Sequence, residues 1–255
     1  MNKVEAQLPR FDISKDNTFE IKGTHFHVPK ADGRGKSSED SFAVVKGNLL
    51  LNAYADLLKH HPKSIFEVGF FEGGSSVFLD CLLEPDSLTC VDLRSDRIGF
   101  CDRFIERNNR QDHFRMFYSI DQSDKATLRK MIHDFHGGEL DLAIDDASHE
   151  YFRSRATFEA LFPFLKPGGI YLLEDYAWAH TPQFQKRKRP WKKQPKALTN
   201  LVFELTMIMA SDPRIISHVE MDRASCRITR GPAELDDTFT VEGAYVARGK
   251  KIRLI

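Results

Sequence analysis

Two pairs of adjacent carboxylates invite a chemical reading. Asp145 and Asp146 end the stretch LDLAIDD, and Glu174 and Asp175 end IYLLED. Each follows an apolar run, where an uncompensated carboxylate is costly. Four acids drawn to one rim repel one another unless they are protonated or bound to a cation. Oxygen-only ligands favour a hard ion such as Mg²⁺, which keeps waters or takes substrate oxygens, and the sequence does not separate Mg²⁺ from Mn²⁺. Successive strand residues point to opposite faces, so Glu174 and Asp175 reach one ion only where the strand has turned into a loop. Asp146, Glu174 and Asp175 are the metal-ligand candidates; Asp145 reads equally as a helix cap. His149 follows Asp146 in IDDASHEY. A neutral imidazole beside a metal-held hydroxyl can take its proton. Away from a metal, the same residue reads as a surface histidine at a helix start. His180, in DYAWAH, is a second histidine for the same rim.

A glycine-rich stretch, FEVGFFEGGSS, offers a second kind of chemistry. The dinucleotide pattern G-x-G-x-x-G is absent, because Phe71 stands where its second glycine would be. The phosphate-loop pattern is nearly met from Gly69 through Gly74 to Ser76, but Ser75 replaces its lysine, so a triphosphate loses its counter-charge. A third reading is a cofactor without phosphates, whose ammonium group favours an acid such as Glu67. The bland alternative is a tight strand-to-helix turn. Asp92 ends the next apolar run, where an acid accepts hydrogen bonds from ribose hydroxyls or caps a helix.

These residues need a frame to hold them. SIFEVG, LTCVDL, FRMFYS, LDLAIDD and IYLLED read as strands. GSSVFLDCLL, RIGFCDRFIERNN, DKATLRKMIHDF and YFRSRATFEALFPFL read as the intervening helices, and Pro167-Gly168-Gly169 as a turn. Such alternation implies right-handed crossovers and a mostly parallel α/β sheet with helices on both faces. A further helix is expected over residues 40–59, with Phe42, Val45, Leu49, Leu50 and Leu57 near one face. Leu198, Leu201, Val202, Leu205, Ile208 and Met209 mark another amphipathic helix. IISHVEM and SCRITRG read as two closing strands.

The 255 residues suit one domain with an arm. Residues 1–39 read as an N-terminal arm, a lid or a dimer contact, residues 40–231 as the catalytic domain, and residues 232–255 as a tail with strand character. The formal net charge is zero, which argues against nucleic acid or an anionic membrane as partner. No apolar stretch reaches membrane-spanning length. Four cysteines without paired spacing suit a reducing, cytoplasmic setting. The basic stretch at residues 186–196 reads as a solvated loop, a lid over an acidic acceptor, or an anionic contact surface.

The motifs FEVGFFEGGSS, VDL, SIDQSD, IDDASHEY, FLKPGGIYLLEDY and SCRITRG together resemble class I S-adenosylmethionine (SAM) methyltransferases. Within them they resemble the metal-dependent sugar O-methyltransferases of the macrocin and rhamnosyl type, with proteins described as cephalosporin hydroxylases alongside. The resemblance covers residues 40–231. It implies a Rossmann-like sheet of seven strands, the last antiparallel. It implies that Glu67, Gly69 and Gly73 surround the methionine part of SAM, with Phe71, Gly74 and Ser75 in the same loop. Asp92 would bind the ribose, and Asp121 and Gln122 would lie near the adenine, with Asp145 beside them. Asp146, Glu174 and Asp175 would hold Mg²⁺ and His149 would be the base. Ala147 stands where the family usually has glycine. The expected reaction is methyl transfer to a small-molecule hydroxyl by an enzyme able to form homo-oligomers. The rival readings are an iron-dependent hydroxylase, for which two histidines and one carboxylate are the usual ligands, and a nucleic-acid methyltransferase.

Overall fold

The computed structural model describes residues 8–29, 35–182 and 195–251. The basic stretch lies, but for its last two residues, outside them. Five strands run parallel: β4 (Ser64–Val68), β5 (Ser87–Val91), β6 (Phe114–Phe117), β7 (Leu140–Asp145) and β8 (Leu165–Glu174). β10 (Ser225–Arg230) inserts antiparallel between β8 and β9 (Ile216–Met221). The seven-stranded sheet therefore runs β6-β5-β4-β7-β8-β10-β9. The switch in strand order falls between β4 and β7, where open α/β sheets bind ligands.

Strand composition explains the layering. Ile65, Leu142, Ile144, Ile170 and Leu172 point to one face and join one core cluster. Phe66, Val68, Ala143, Tyr171 and Leu173 point to the other and join a second. Both faces are covered, so these strands are largely apolar, as parallel strands tend to be. The covering helices are α1 (Asn48–Asp56), α2 (Gly74–Leu83), α3 (Gly99–Arg107), α4 (Lys125–His136), α5 (Tyr151–Leu161) and α6 (Thr199–Ser211). Asp124 starts α4 by accepting a hydrogen bond from the Thr127 amide. All four cysteines are free and buried.

Three local readings of the sequence are corrected. The helix expected over residues 40–59 begins only at Asn48. Before it, β3 (Phe42–Ala43) pairs in parallel with β2 (Thr24–His27), which in turn pairs with β1 (Thr18–Ile21). Val45 and Leu49, expected on the apolar face, are exposed. The local pattern missed this because the pairing partner lies in the N-terminal segment. Pro167-Gly168-Gly169 does not precede a strand: it is a bulge inside β8, since Leu140 pairs with Leu165 and Leu142 with Ile170. Residues 232–251 form no strand; Phe239 and Val241 are buried, with Phe239 against Phe158 and Phe162, and the Val241 amide donates to Glu159.

The N-terminal segment contributes to the core. Phe26 is fully buried and packs with Phe19, Phe42 and Phe78. Burial of a phenylalanine stabilises by about 2–3 kcal/mol. No helix among the described residues is long and apolar enough to cross a membrane.

Candidate functional site

A cavity of about 550 Å³ opens at the carboxyl ends of β4 and β5, lined by Gly69, Phe71, Asp92, Gln122 and Asp146 among others. The β4–α2 loop shapes one wall. Gly69 has φ +92°, and a Cβ there would lie 2.3 Å from the Asp146 carbonyl oxygen. Glycine is thus required for the β7 terminus to pass over the loop. A Cβ on Gly73 would meet Cys101 Sγ, and one on Gly74 the Ala43 carbonyl. Ser75 is buried in the first turn of α2. Glu67 is also fully buried and away from the cavity, where its carboxylate accepts a hydrogen bond from Ser76. Burial pushes the Glu67 carboxyl upward, against the hydroxyls of Ser75 and Ser76.

Asp92 fixes the loop. One carboxylate oxygen accepts from the amides of Phe70 and Phe71, both at 2.9 Å, and the other from the Arg94 amide at 2.9 Å. Arg94 also donates to the Phe71 carbonyl. Gln122 reaches the cavity wall and links several elements. Its carbonyl accepts from the Ser148 amide at 3.0 Å, and its amide nitrogen donates to Thr157 at 3.0 Å and Asp145 at 3.3 Å. Asp121 caps its own loop through Ser123 and pairs with Arg153, which lines the cavity.

Strand parity separates the two acid pairs. Asp145 points to the β7 face shared with Tyr171, whose hydroxyl donates to it at 3.1 Å. Burial pushes its carboxyl up to about 6. Asp146 lies one residue further, at the rim, with its amide donating to Val68 at 2.9 Å. β8 ends at Glu174; Asp175 turns away at φ +54°. His149, at φ +56°, brings its Nε2 to 3.9 Å from Asp146 and 4.0 Å from Asp175, and its ring packs on Trp178 at 4.2 Å. Asp146, His149 and Asp175 each offer a ligand atom within 4.8 Å of the others.

Glu174 does not join them. Its carboxylate is fully buried and accepts from Lys46 Nζ at 2.6 Å and from the Tyr54 hydroxyl. Lys46 also donates to Asp146 Oδ2 at 2.8 Å. Burial alone would push the Lys46 ammonium down, but Asp146 and Glu174 override it and hold it well above the usual lysine range. Burial pushes Asp175 up to about 7, and Asp146 adds to that rise. Burial also lowers His149, opposed by Asp146 and assisted by Lys46, which favours its neutral imidazole.

The residues fit a divalent ion: two carboxylates and an imidazole converge, and the repulsion that raises Asp175 is the kind a cation relieves. The ion would meet Asp146 and Asp175 rather than the expected trio with Glu174. His180 bonds to Thr199 and is outside this cluster, so the two histidines expected for an iron centre are not brought together. The sequence reading missed Lys46, which it placed on the expected helix over residues 40–59. A lysine directly before a helix-starting glycine is a weak signal, and its partners lie 100 and 128 residues away.

The chain is similar to known methyltransferases in sequence and in fold. A family described as "Methyltransferase domain" matches residues 66–176. The 8-demethyl-8-alpha-L-rhamnosyl tetracenomycin-C 2'-O-methyltransferase of Streptomyces olivaceus is 43% identical over 65 residues, which are 26% of this chain and 17% of that protein. Demethylmacrocin O-methyltransferase of Streptomyces fradiae is 37% identical over 78 residues, 31% of this chain and 19% of that protein. The aligned segments thus span less than a fifth of these relatives. Among solved structures, MycE methyltransferase from the mycinamycin biosynthetic pathway, in complex with Mg, SAH and mycinamycin VI, superposes with a TM-score of 0.57 at 20% identity. That match covers 74% of this chain and 50% of MycE. A putative caffeoyl-CoA O-methyltransferase from Staphylococcus aureus superposes with a TM-score of 0.53 at 13% identity, covering 74% and 85%. The chain has the Rossmann-like fold of these solved structures, and its residues 66–176 match the methyltransferase-domain family.

Proposed function

We propose that the protein is a SAM-dependent O-methyltransferase acting on a hydroxyl of a small molecule, a sugar or glycosylated natural product, with Mg²⁺ or Mn²⁺ at the rim. The observation that carries this reading is Asp146, which lines the cavity at the β4–β5 ends and also belongs to the cluster with His149 and Asp175. A methyl donor in the cavity and a hydroxyl at the cluster would therefore be neighbours. The sugar O-methyltransferase relatives support this acceptor class.

In this reading Asp92, held by three amides, keeps lone-pair capacity for a ribose hydroxyl. Gly69 lets the donor approach the backbone. Asp146 and Asp175 would hold the divalent ion, which would supply Lewis acidity toward an acceptor hydroxyl. His149 Nε2 would accept the proton of the acceptor hydroxyl, whose oxygen would take the methyl group from the sulfonium of the donor, leaving a thioether. The remaining contribution is positioning, since the sulfonium loses rather than gains charge in the transition state. Methyl-labelled SAM offered with a panel of glycosylated acceptors tests this. Label transfer to a sugar hydroxyl that stops with chelator is the expected result. Binding of SAM without transfer to any hydroxyl acceptor would reject the O-methyltransferase assignment.

A further inference from the structure

Lys46 is the least expected member of the rim. Its side chain is 2% exposed, yet it carries an ammonium among acids. Nζ donates to Asp146 Oδ2 and Glu174 Oε2, and the Tyr54 ring lies 5.0 Å from it. The Tyr54 hydroxyl takes the other Glu174 oxygen. Both Glu174 oxygens are therefore engaged, whereas Asp146 keeps Oδ1 turned toward His149. Asp175 keeps Oδ2 turned toward the same imidazole. A lysine buried this deeply is stable only with such partners, and removal of either side leaves an uncompensated charge.

We propose that Lys46 is a positioning residue of the metal centre, which withdraws Glu174 from the ligand set and leaves Asp146 and Asp175 to hold the ion beside His149. The inference rests on the metal-assisted methyl-transfer reading. With all three carboxylates ionised, the one ammonium leaves two negative charges, matched to a divalent cation. A near-octahedral ion with two protein ligands keeps about four positions for water and acceptor oxygens, enough for a vicinal diol. With Glu174 as a third ligand the ion would be held more tightly and offer fewer positions to the acceptor.

Mn²⁺ binding followed by electron paramagnetic resonance tests this without reference to turnover. Asp175→Asn is expected to weaken Mn²⁺ binding by about tenfold or more, while Glu174→Gln leaves it near the wild-type value. Lys46→Met is expected to tighten Mn²⁺ by about tenfold, and Glu174→Gln in that background to remove the gain. A lysine that only supported folding would not raise metal affinity. S-adenosylhomocysteine binding checks that each variant is folded; if Lys46→Met is not, the comparison of Glu174→Gln with Asp175→Asn alone decides. Equal losses in those two variants would overturn the role of Lys46 while leaving the metal reading intact. No Mn²⁺ binding by a wild-type protein that binds S-adenosylhomocysteine would remove both.

Discussion

The Cα of Gly69 lies directly beneath the backbone of Asp146: a Cβ on Gly69 would sit 2.3 Å from the Asp146 carbonyl oxygen and 2.6 Å from Ala147 Cα. The cavity wall and the acidic rim are thus one packed unit. Gly69→Ala forces both a backbone collision and an L residue at φ +92°. We expect a loss of about 2–4 kcal/mol in stability, with S-adenosylhomocysteine and Mn²⁺ binding weakened together. Thermal unfolding and titration check it; an unchanged melting temperature would refute the close approach.

Asp92 holds the loop by three amide hydrogen bonds. Asp92→Ala releases all three, each worth about 1.5–3 kcal/mol when the acceptor is charged. S-adenosylhomocysteine affinity should fall by at least about tenfold, with partial retention in Asp92→Asn. Calorimetric affinities equal to wild type would show that the loop holds its shape without Asp92.

His149 is proposed as the proton acceptor, kept neutral by burial with assistance from Lys46. His149→Ala should lower kcat by about 10²–10⁴ at neutral pH, leave the SAM affinity unchanged, and recover part of its activity at high pH. A pH–rate profile identical in shape to that of the wild type would remove His149 from this role.

His136 governs part of the acid stability. Its imidazole bridges Ser64 and Thr89, both at 2.9 Å, and burial pushes it down to about 4. Its folded value lies below the ordinary histidine value near 6.5, so the unfolded chain binds the extra proton first. Stability from this group is complete above the unfolded value and is lost as pH falls through the interval toward 4. His136→Gln should flatten the decline in melting temperature over that interval; an equally steep decline would contradict it.

The parallel sheet was legible because strands buried on both faces are largely apolar, as in SIFEV and LDLAI, each with a single carboxylate. That Asp146, His149 and Asp175 lie together was legible because they follow such strands. Glu174 was not, because its last-in-strand position turns its carboxylate to the α1 side, where Tyr54 and Lys46 wait. Gly73 and Gly74 also leave room for Cys101 and β3, a packing role that the sequence did not show. β3 itself was hidden, since two residues carry no periodicity and its partner strand lies before it. Each miss is a long-range contact that no local pattern encodes.

The central claim is that the cavity beside Gly69 and Asp92 takes the methyl donor. Calorimetric titration with S-adenosylhomocysteine, with and without Mg²⁺, tests it most directly. One-to-one binding at about micromolar affinity, weakened in Asp92→Ala, is the result expected. No binding under either condition, by a protein that melts cooperatively, would contradict it.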